Sequence, residues 1–233
     1  MTLLSDDDTK EVRKLFASLE NTVQIKAYTQ KNNCDSCRDT KSILTELGGL
    51  SDKLDITFPD IDDNKEDAEQ DSIEMVPALL VSDGSHTRVR FYGTPAGYEF
   101  STLLTVIIDS GTASDNLSDE TIDFLDSTFS QDTPLEIKVF VTPTCPHCPG
   151  AAILASRLAG YSKNVHTEII EGNEFPELSR KYQIMGVPKT VVNERFHAEG
   201  TLSEAMFIQA LESALKDSPQ GKVNLMDYLN PEN

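Results

Sequence analysis

The chain has 233 residues, of which 38% are hydrophobic and 25% charged, as is typical of a globular protein with one or two domains. Its formal net charge of −19 argues against nucleic-acid binding, which needs clustered Lys and Arg, and against binding to an anionic membrane surface. No run of about 18 apolar residues is present and the first residues do not resemble a secretory signal, so we expect a cytoplasmic protein without a membrane span.

The first half of the chain begins with a predicted amphipathic helix, whose buried face consists of Val12, Leu15, Phe16 and Leu19. The segment Val23–Tyr28 is rich in β-branched and aromatic residues and predicts a strand. Cys34 and Cys37 follow it and open a second predicted helix. This half therefore brings a Cys-x-x-Cys pair to the junction of a strand and a helix.

Downstream, the dipeptide Val76-Pro77 precedes a predicted strand at residues 78–81, and Asp83-Gly84 predicts a hairpin turn after it. The next helix is amphipathic, with apolar residues at positions i, i+3, i+4, i+7 and i+8: Phe100, Leu103, Leu104, Ile107 and Ile108. Residues 110–116 are rich in Gly, Ser and Thr and predict a linker.

The second half repeats this order. A helix is predicted to begin at Ser118, a favourable N-cap, and Leu135–Val141 predicts a strand that runs into Cys145 and Cys148. Val187-Pro188 precedes a predicted strand at residues 190–192. A final amphipathic helix carries Phe207, Ala210, Leu211, Ala214 and Leu215, and residues 219–233 are predicted to be a tail whose Leu225, Tyr228 and Leu229 dock on the domain.

The two halves match in spacing as well as in order. Cys34 lies 43 residues before Pro77, and Cys145 lies 43 residues before Pro188. The predicted order of elements in each half is β–α–β–α–β–β–α, preceded by one additional helix. We therefore predict two units, residues 1–115 around the first cysteine pair and residues 116–233 around the second with the short tail, each large enough for its own core.

The four cysteines allow two chemistries. They could form one zinc site, but 107 residues separate Cys37 from Cys145, far more than the roughly 15 to 20 of common zinc ribbons. Redox chemistry fits better, because a cysteine at a helix N-terminus is stabilised as the reactive thiolate and a second one a turn later can attack a mixed disulfide. Pro146 is tolerated in a first helical turn. We expect no metal and no other cofactor.

These motifs resemble the thioredoxin/glutaredoxin superfamily, and more narrowly the tandem, glutaredoxin-like protein disulfide oxidoreductases. The resemblance rests on Cys-x-x-Cys after a strand, on Val-Pro before a strand, and on the segments 91–100, 116–121, 136–149 and 187–189. It implies an α/β protein of two tandem thioredoxin-like folds, each a mixed central sheet flanked by helices. The implied function is to reduce, form or isomerise protein disulfides.

The resemblance also implies roles for individual residues. Cys34 and Cys145 would be the nucleophiles and Cys37 and Cys148 the resolving thiols. The bonds Val76-Pro77 and Val187-Pro188 would be cis, which turns the backbone of the preceding valine toward a bound peptide substrate.

The residues between the cysteines differ in the two motifs. Protonated His147 would stabilise the Cys145 thiolate, whereas Asp35 would disfavour that of Cys34, so we expect the second site to dominate. Pro146-His147 is also the dipeptide of the strongly oxidising periplasmic oxidase, which implies a less negative potential. The three other histidines, His86, His166 and His197, are scattered and we assign them no chemical role.

Thioredoxin itself has an acid six residues before its first cysteine, but this chain has Tyr28 and Val139 there. Asp60 and Glu171 are candidate proton acceptors instead, since each lies 26 residues after the first cysteine of its unit and 17 before its proline.

The implied partners are protein disulfides and dithiols, with electrons from a thioredoxin-reductase-like flavoenzyme. One alternative is an electron relay to a peroxiredoxin, like the tandem N-terminal domain of flavin-dependent alkyl hydroperoxide reductase, although that module typically lacks the first pair. Another is a peptide-binding chaperone in which the thiols are secondary.

Overall fold

The structure is a computed structural model, and it describes residues 4–85, 87–112, 114, 116–217 and 221–229, without the side chain of Arg88. His86 and the predicted boundary residue Asp115 lie outside these residues. No helix within the described ranges is long and apolar enough to cross a membrane. The division of the chain at residue 115 stays a prediction.

The first half contains the predicted elements in the predicted order. They are α1 (Asp6–Phe16), β1 (Val23–Tyr28), α2 (Asp35–Gly48), β2 (Leu54–Thr57), α3 (Lys65–Gln70), β3 (Ala78–Ser82), β4 (Thr87–Tyr92) and α4 (Tyr98–Thr112). Two expectations here were wrong. Leu15 is 45% exposed rather than part of the buried face of α1, and α4 continues through the first three residues of the predicted linker.

The second half repeats the series and adds a short extension. Its elements are α5 (Asp119–Thr128), β5 (Leu135–Val141), α6 (Cys148–Tyr161), β6 (Val165–Glu171), α7 (Pro176–Lys181), β7 (Lys189–Val192), β8 (Phe196–Glu199), α8 (Glu204–Asp217), β9 (Val223–Asn224) and a 3-10 helix (Leu225–Leu229). Ser118 caps α5 as predicted, since its hydroxyl accepts the N–H of Thr121. The predicted docking of the tail is confirmed, because Leu225 is fully buried and Tyr228 and Leu229 pack beside it on the core.

The described strands form one mixed sheet in the order β2-β1-β3-β4-β6-β5-β7-β8-β9. In each half the central strand pairs in parallel with one neighbour and antiparallel with the other: β1 with β2 and β3, and β5 with β6 and β7. The halves join where β4 runs parallel to β6, with Phe91 opposite Ile169 and Tyr92 opposite Ile170.

Alternating side chains of the strands enter two cores, one on each face of the sheet. Leu79 and Val81 of β3 belong to the larger core, which α1, α2, α4, α5, α6 and α8 cover. Leu80 and Tyr92 belong to the smaller core, which α3 and α7 cover. Within the larger core α4 packs directly on α6, so a helix of the first half lies against the helix that follows the second cysteine pair.

Candidate active sites

The first cysteine pair lies at the N-terminus of α2, as predicted. Cys34 is the N-cap residue, its Sγ accepts the N–H of Cys37 at 3.2 Å, and the two cysteines form a disulfide with their Cα atoms 5.3 Å apart. Cys34 is partly exposed and Cys37 is buried. A partner sulfur can therefore reach Cys34 and is shielded from Cys37.

Charged side chains surround this first pair. Asp35 points into solvent and forms a long ion pair with Arg38, 3.5 Å between Oδ1 and Nη2. Lys31, on the loop before Cys34, pairs with Asp63. The approach to Cys34 is thus a polar, ion-paired surface.

The second pair differs in one respect from the expectation. Cys145 and Cys148 form a disulfide with Cα atoms 5.5 Å apart, but α6 begins only at Cys148. Cys145 and Pro146 therefore lie in the turn before the helix, and Pro149 instead occupies its first turn. The turn is closed by a hydrogen bond from the N–H of Cys148 to the carbonyl of Cys145. Because Pro146 and His147 still separate Cys145 from the helix, the helix dipole acts less directly on it than on Cys34.

The second pair also has an outer and an inner sulfur. Cys145 is 8% exposed and Cys148 is fully buried. Pro146 and His147 are exposed, and the carbonyl of His147 accepts a 2.7 Å hydrogen bond from the Thr201 hydroxyl, which fixes the turn against the loop before α8.

Both valine–proline bonds are cis, as the resemblance implies. Val187 is brought to the second pair, since its carbonyl oxygen lies 3.6 Å from Cys145 Sγ. No described residue accepts the backbone N–H of Val76 or Val187. The carbonyl and the unpaired N–H of Val187 thus lie next to Cys145 in the chain's fold, and Val76-Pro77 occupies the corresponding place in the first half.

The two predicted proton acceptors have different surroundings. Asp60 is partly buried and accepts the backbone N–H groups of Lys31 and Asp62 at 2.9 and 3.1 Å, so it anchors the loop before the first pair. Glu171 is buried at the end of β6, opposite Val141, the last residue of the strand that leads to Cys145. It accepts hydrogen bonds from Asn173 and Glu174, while burial raises its pKa.

A third acid, Glu99, was missed by the sequence reasoning. It lies in the first turn of α4, is 2% exposed, and has no hydrogen-bond partner for either carboxylate oxygen among the described residues. Burial raises the pKa of Glu99 to about 7, the nearby Thr102 hydroxyl lowers it in part, and the Glu171 carboxylate raises it further. One signal was available: Glu99 shares the i, i+4, i+8 row of α4 with the fully buried Leu103 and Ile107.

Glu99 follows directly on a segment that connects the two cysteine pairs. Toward the first pair, the Thr94 hydroxyl donates to the carbonyl of Ser36 at 3.3 Å. Toward the second, the N–H of Tyr98 donates to the carbonyl of Pro143 at 2.9 Å, two residues before Cys145. We call residues 93–98 the bridging segment.

Two features hold the bridging segment in place. The N–H of Thr94 donates to Glu174 of the second half at 2.7 Å. Gly93 has a φ of +100°, and a side chain there would collide with Cβ of Glu171, so this position accepts only glycine. Among the described residues no group of three or more His, Cys, Asp or Glu is arranged to hold a metal ion.

Comparison with known proteins agrees with this architecture. Residues 135–213 match the family model of the thioredoxin domain. The alkyl hydroperoxide reductase AhpF of Escherichia coli (strain K12) is 23% identical over 221 residues, 94% of this chain and 40% of that protein. Its counterpart in Staphylococcus aureus (strain MRSA252) is 23% identical over 202 residues, 86% of this chain and 36% of that protein. The chain thus spans about two fifths of the length of these curated relatives.

Two solved structures share the whole fold. A protein disulfide oxidoreductase from Aeropyrum pernix K1 superposes with a TM-score of 0.81 at 26% identity, covering 91% of this chain and 94% of that one. The NTD_N/C domain of the alkylhydroperoxide reductase AhpF from Enterococcus faecalis (V583) gives 0.81 at 21% identity, covering 89% and 99%. The chain therefore has the α/β fold of two tandem thioredoxin-like units, with one Cys-x-x-Cys disulfide in each.

Proposed function

We propose that this chain is a thiol–disulfide oxidoreductase that reduces, forms or isomerises protein disulfides, with the second cysteine pair as the stronger site. The observation that carries the proposal is the geometry of the pairs. Each is a closed disulfide at or just before the start of a helix, and in each the first cysteine is more exposed than the second: Cys34 is partly exposed and Cys37 buried, whereas Cys145 is 8% exposed and Cys148 fully buried. This asymmetry supports Cys34 and Cys145 as nucleophiles and Cys37 and Cys148 as resolving thiols.

The reaction follows from that arrangement. In the reduced protein the Cys145 thiolate attacks a substrate disulfide, a mixed disulfide forms, and one substrate sulfur leaves as a thiolate that takes up a proton. Cys148 then loses its proton and attacks Cys145, which restores the internal disulfide and releases the substrate as a dithiol. Two electrons pass from the protein to the substrate, and the reverse sequence forms a substrate disulfide.

The proton of Cys148 needs an acceptor in a buried place. Glu99 and Glu171 are the two buried carboxyl groups on the elements that pack around the second pair, and burial raises the pKa of each. A carboxyl whose pKa is close to the working pH exchanges protons readily in both directions. Glu99, with a pKa of about 7 and no hydrogen-bond partner among the described residues, is the better suited of the two.

The substrate backbone would lie beside the cis prolines. The carbonyl of Val187 next to Cys145 Sγ and the unused N–H of the same residue can pair with an extended peptide in the manner of an added strand. Val76 would serve the first pair in the same way.

A relay function has specific support of its own. The chain aligns over 94% of its length with the alkyl hydroperoxide reductase AhpF of Escherichia coli. We therefore propose, as the second candidate, that it accepts electrons from a thioredoxin-reductase-like flavoenzyme in the cytoplasm and passes them to a peroxiredoxin. Both functions use the same dithiol chemistry and differ in the acceptor.

Two assays test these functions. Reduction of insulin by dithiothreitol, followed by turbidity, should accelerate with the wild-type chain and not with a variant in which all four cysteines are serine. Equal rates with the two proteins would contradict the oxidoreductase proposal.

For the relay, a peroxiredoxin assay coupled to NADPH and a thioredoxin reductase should turn over peroxide only when this chain is added. Fast insulin reduction with no peroxide turnover would rule the relay out.

A further inference from the structure

The surfaces beside the two cysteine pairs differ in chemistry. Met185, three residues before Pro188, is 90% exposed, the highest exposure among the large hydrophobic residues that the structure describes. The corresponding residue three before Pro77 is Glu74, which is also exposed. The position three residues before the cis proline therefore carries a flexible apolar side chain in the second unit and a carboxylate in the first.

A second exposed large side chain belongs to the segment of the first half whose backbone contacts the turn before the second pair. Tyr98, at the end of the bridging segment, is 49% exposed, and its N–H donates to Pro143 in the turn before Cys145. The two other exposed large apolar side chains among the described residues are Leu15 on α1 and Met206 on α8.

Met185 lies close to Val187, whose backbone is proposed to pair with the substrate peptide. Its Cα is two residues from Val187, hence at most about 7.6 Å away. A peptide paired with the Val187 backbone while its cysteine reaches Cys145 lies near this residue, and a methionine side chain is long enough to span such a distance. A flexible, polarisable methionine packs on apolar side chains of many shapes, and a methionine exposed in the free protein gains contact only when a partner covers it.

We propose that Met185, with Tyr98, makes the second cysteine pair selective for extended client peptides that carry an apolar side chain next to the reacting cysteine, while Glu74 denies the first pair this preference. The inference rests on the proposed function, since it names the substrate class of that site. The occupant is a peptide rather than a folded apolar surface, because the unused N–H and the carbonyl of Val187 offer backbone pairing beside Met185. The net charge of −19 adds repulsion against acidic clients.

The test uses proteins that keep one pair each: Cys34→Ser/Cys37→Ser retains the second, and Cys145→Ser/Cys148→Ser the first. The substrates are two short peptides identical except for Leu or Ser next to the cysteine, each joined by a disulfide to a quenched fluorophore. Dithiothreitol supplies the two electrons per turnover. Bis(2-hydroxyethyl) disulfide, which has no side chain to recognise, reports the chemistry alone.

We expect the protein with the second pair to cleave the Leu peptide on the order of tenfold faster than the Ser peptide in kcat/KM, the effect of about 1.4 kcal/mol of contact. Met185→Gln and Met185→Glu should bring the two rates within about twofold, whereas Met185→Leu should keep the preference. Leu15→Glu, which places the same charge on an exposed apolar residue of α1, should also keep it. Glu74→Met should create a preference for the Leu peptide in the protein with the first pair.

The outcomes separate the two proposals. An unchanged Leu preference in Met185→Gln and Met185→Glu, with unchanged turnover of bis(2-hydroxyethyl) disulfide, overturns this inference and leaves the oxidoreductase function intact. Equal cleavage of both peptides by the protein with the second pair does the same. No turnover of the small disulfide by either protein overturns the proposed function and this inference with it.

Discussion

Replacing Glu99 by glutamine tests the buried carboxyl group through the stability of the protein. The pKa of Glu99 is raised by burial from its ordinary 4.5 to about 7, so the folded state holds the proton more tightly than the unfolded chain does. At about 1.4 kcal/mol per pKa unit, this interval corresponds to about 3 kcal/mol. The side chain is 2% exposed, so screening by solvent removes little of this energy.

The sign of the effect is opposite to that of an ion-paired acid. Below pH 4.5 the carboxyl is protonated in both states and stabilises the fold relative to its ionised form. Between about pH 4.5 and 7 the unfolded chain releases the proton first, so the free energy of unfolding falls as the pH rises and reaches its lower level above pH 7. Glutamine does not titrate, so the free energy of unfolding of Glu99→Gln should fall less than that of the wild type between these two pH values.

Urea unfolding of the oxidised proteins at pH 5 and pH 8 measures the difference. Between these pH values the wild type should lose about 2.5 kcal/mol more than Glu99→Gln, since any cost of burying the amide is the same at both and cancels. Glu177→Gln, which changes an acid whose side chain is 93% exposed, should follow the wild type. Parallel pH dependences for wild type and Glu99→Gln would refute the buried, proton-holding state of Glu99.

Three further predictions concern catalysis. In the insulin assay Cys145→Ser should remove most of the activity and Cys34→Ser a smaller share; full activity in Cys145→Ser would end the assignment of the second site as dominant. Thiolate absorbance titrations of single-site variants should show Cys145 ionising at lower pH than Cys34, because protonated His147 stabilises one anion and Asp35 opposes the other. Glu171→Gln should slow release of the mixed disulfide at neutral pH with little change in the Cys145 titration, whereas unchanged turnover from pH 6 to 8 would count against Glu171 as proton acceptor.

The strands and their order could be predicted because their signals are local. The bounds of β1 and β5 coincide with the β-branched and aromatic segments that predicted them, and the matched spacing of cysteines and prolines placed the later elements. Local signals were weaker at helix ends. Cys145 lies in a turn, which the backbone hydrogen bonds from Cys145 to Thr142 and from Cys148 to Cys145 close. Helix α4 extends through Thr112 because its last turn still packs on the core at Ser110 and Gly111.

Features that depend on contact between the halves were not predictable in this way. From the sequence alone, Glu99 is a polar residue that directly precedes the apolar face of α4. It is buried because α4 packs on α6. Thr94 reads as a loop residue, and its role follows from the parallel pairing of β4 with β6, which brings Glu174 to its N–H. In both cases the partner lies far along the chain: helical periodicity can place Glu99 on the buried face of α4, but it does not identify the element that covers this face.

The contact between the halves makes the two sites unequal even though their sequences repeat. Helices α4 and α8 are the corresponding helices of the two units. When their sequences are aligned so that Phe100 matches Phe207, Met206 occupies the position that corresponds to Glu99. Met206 has no carboxyl group, and α8 packs on α5 and the terminal 3-10 helix rather than on α2, so it brings no buried acid to the first pair. The second pair, in contrast, is flanked by elements that carry Glu99 and Glu171, one from each half. A buried thiol reacts faster where such a group accepts its proton. With Glu99 as the proton acceptor proposed above, the first half gives the second pair an advantage that does not depend on His147, and this is a separate reason to expect the second pair to be the stronger catalyst.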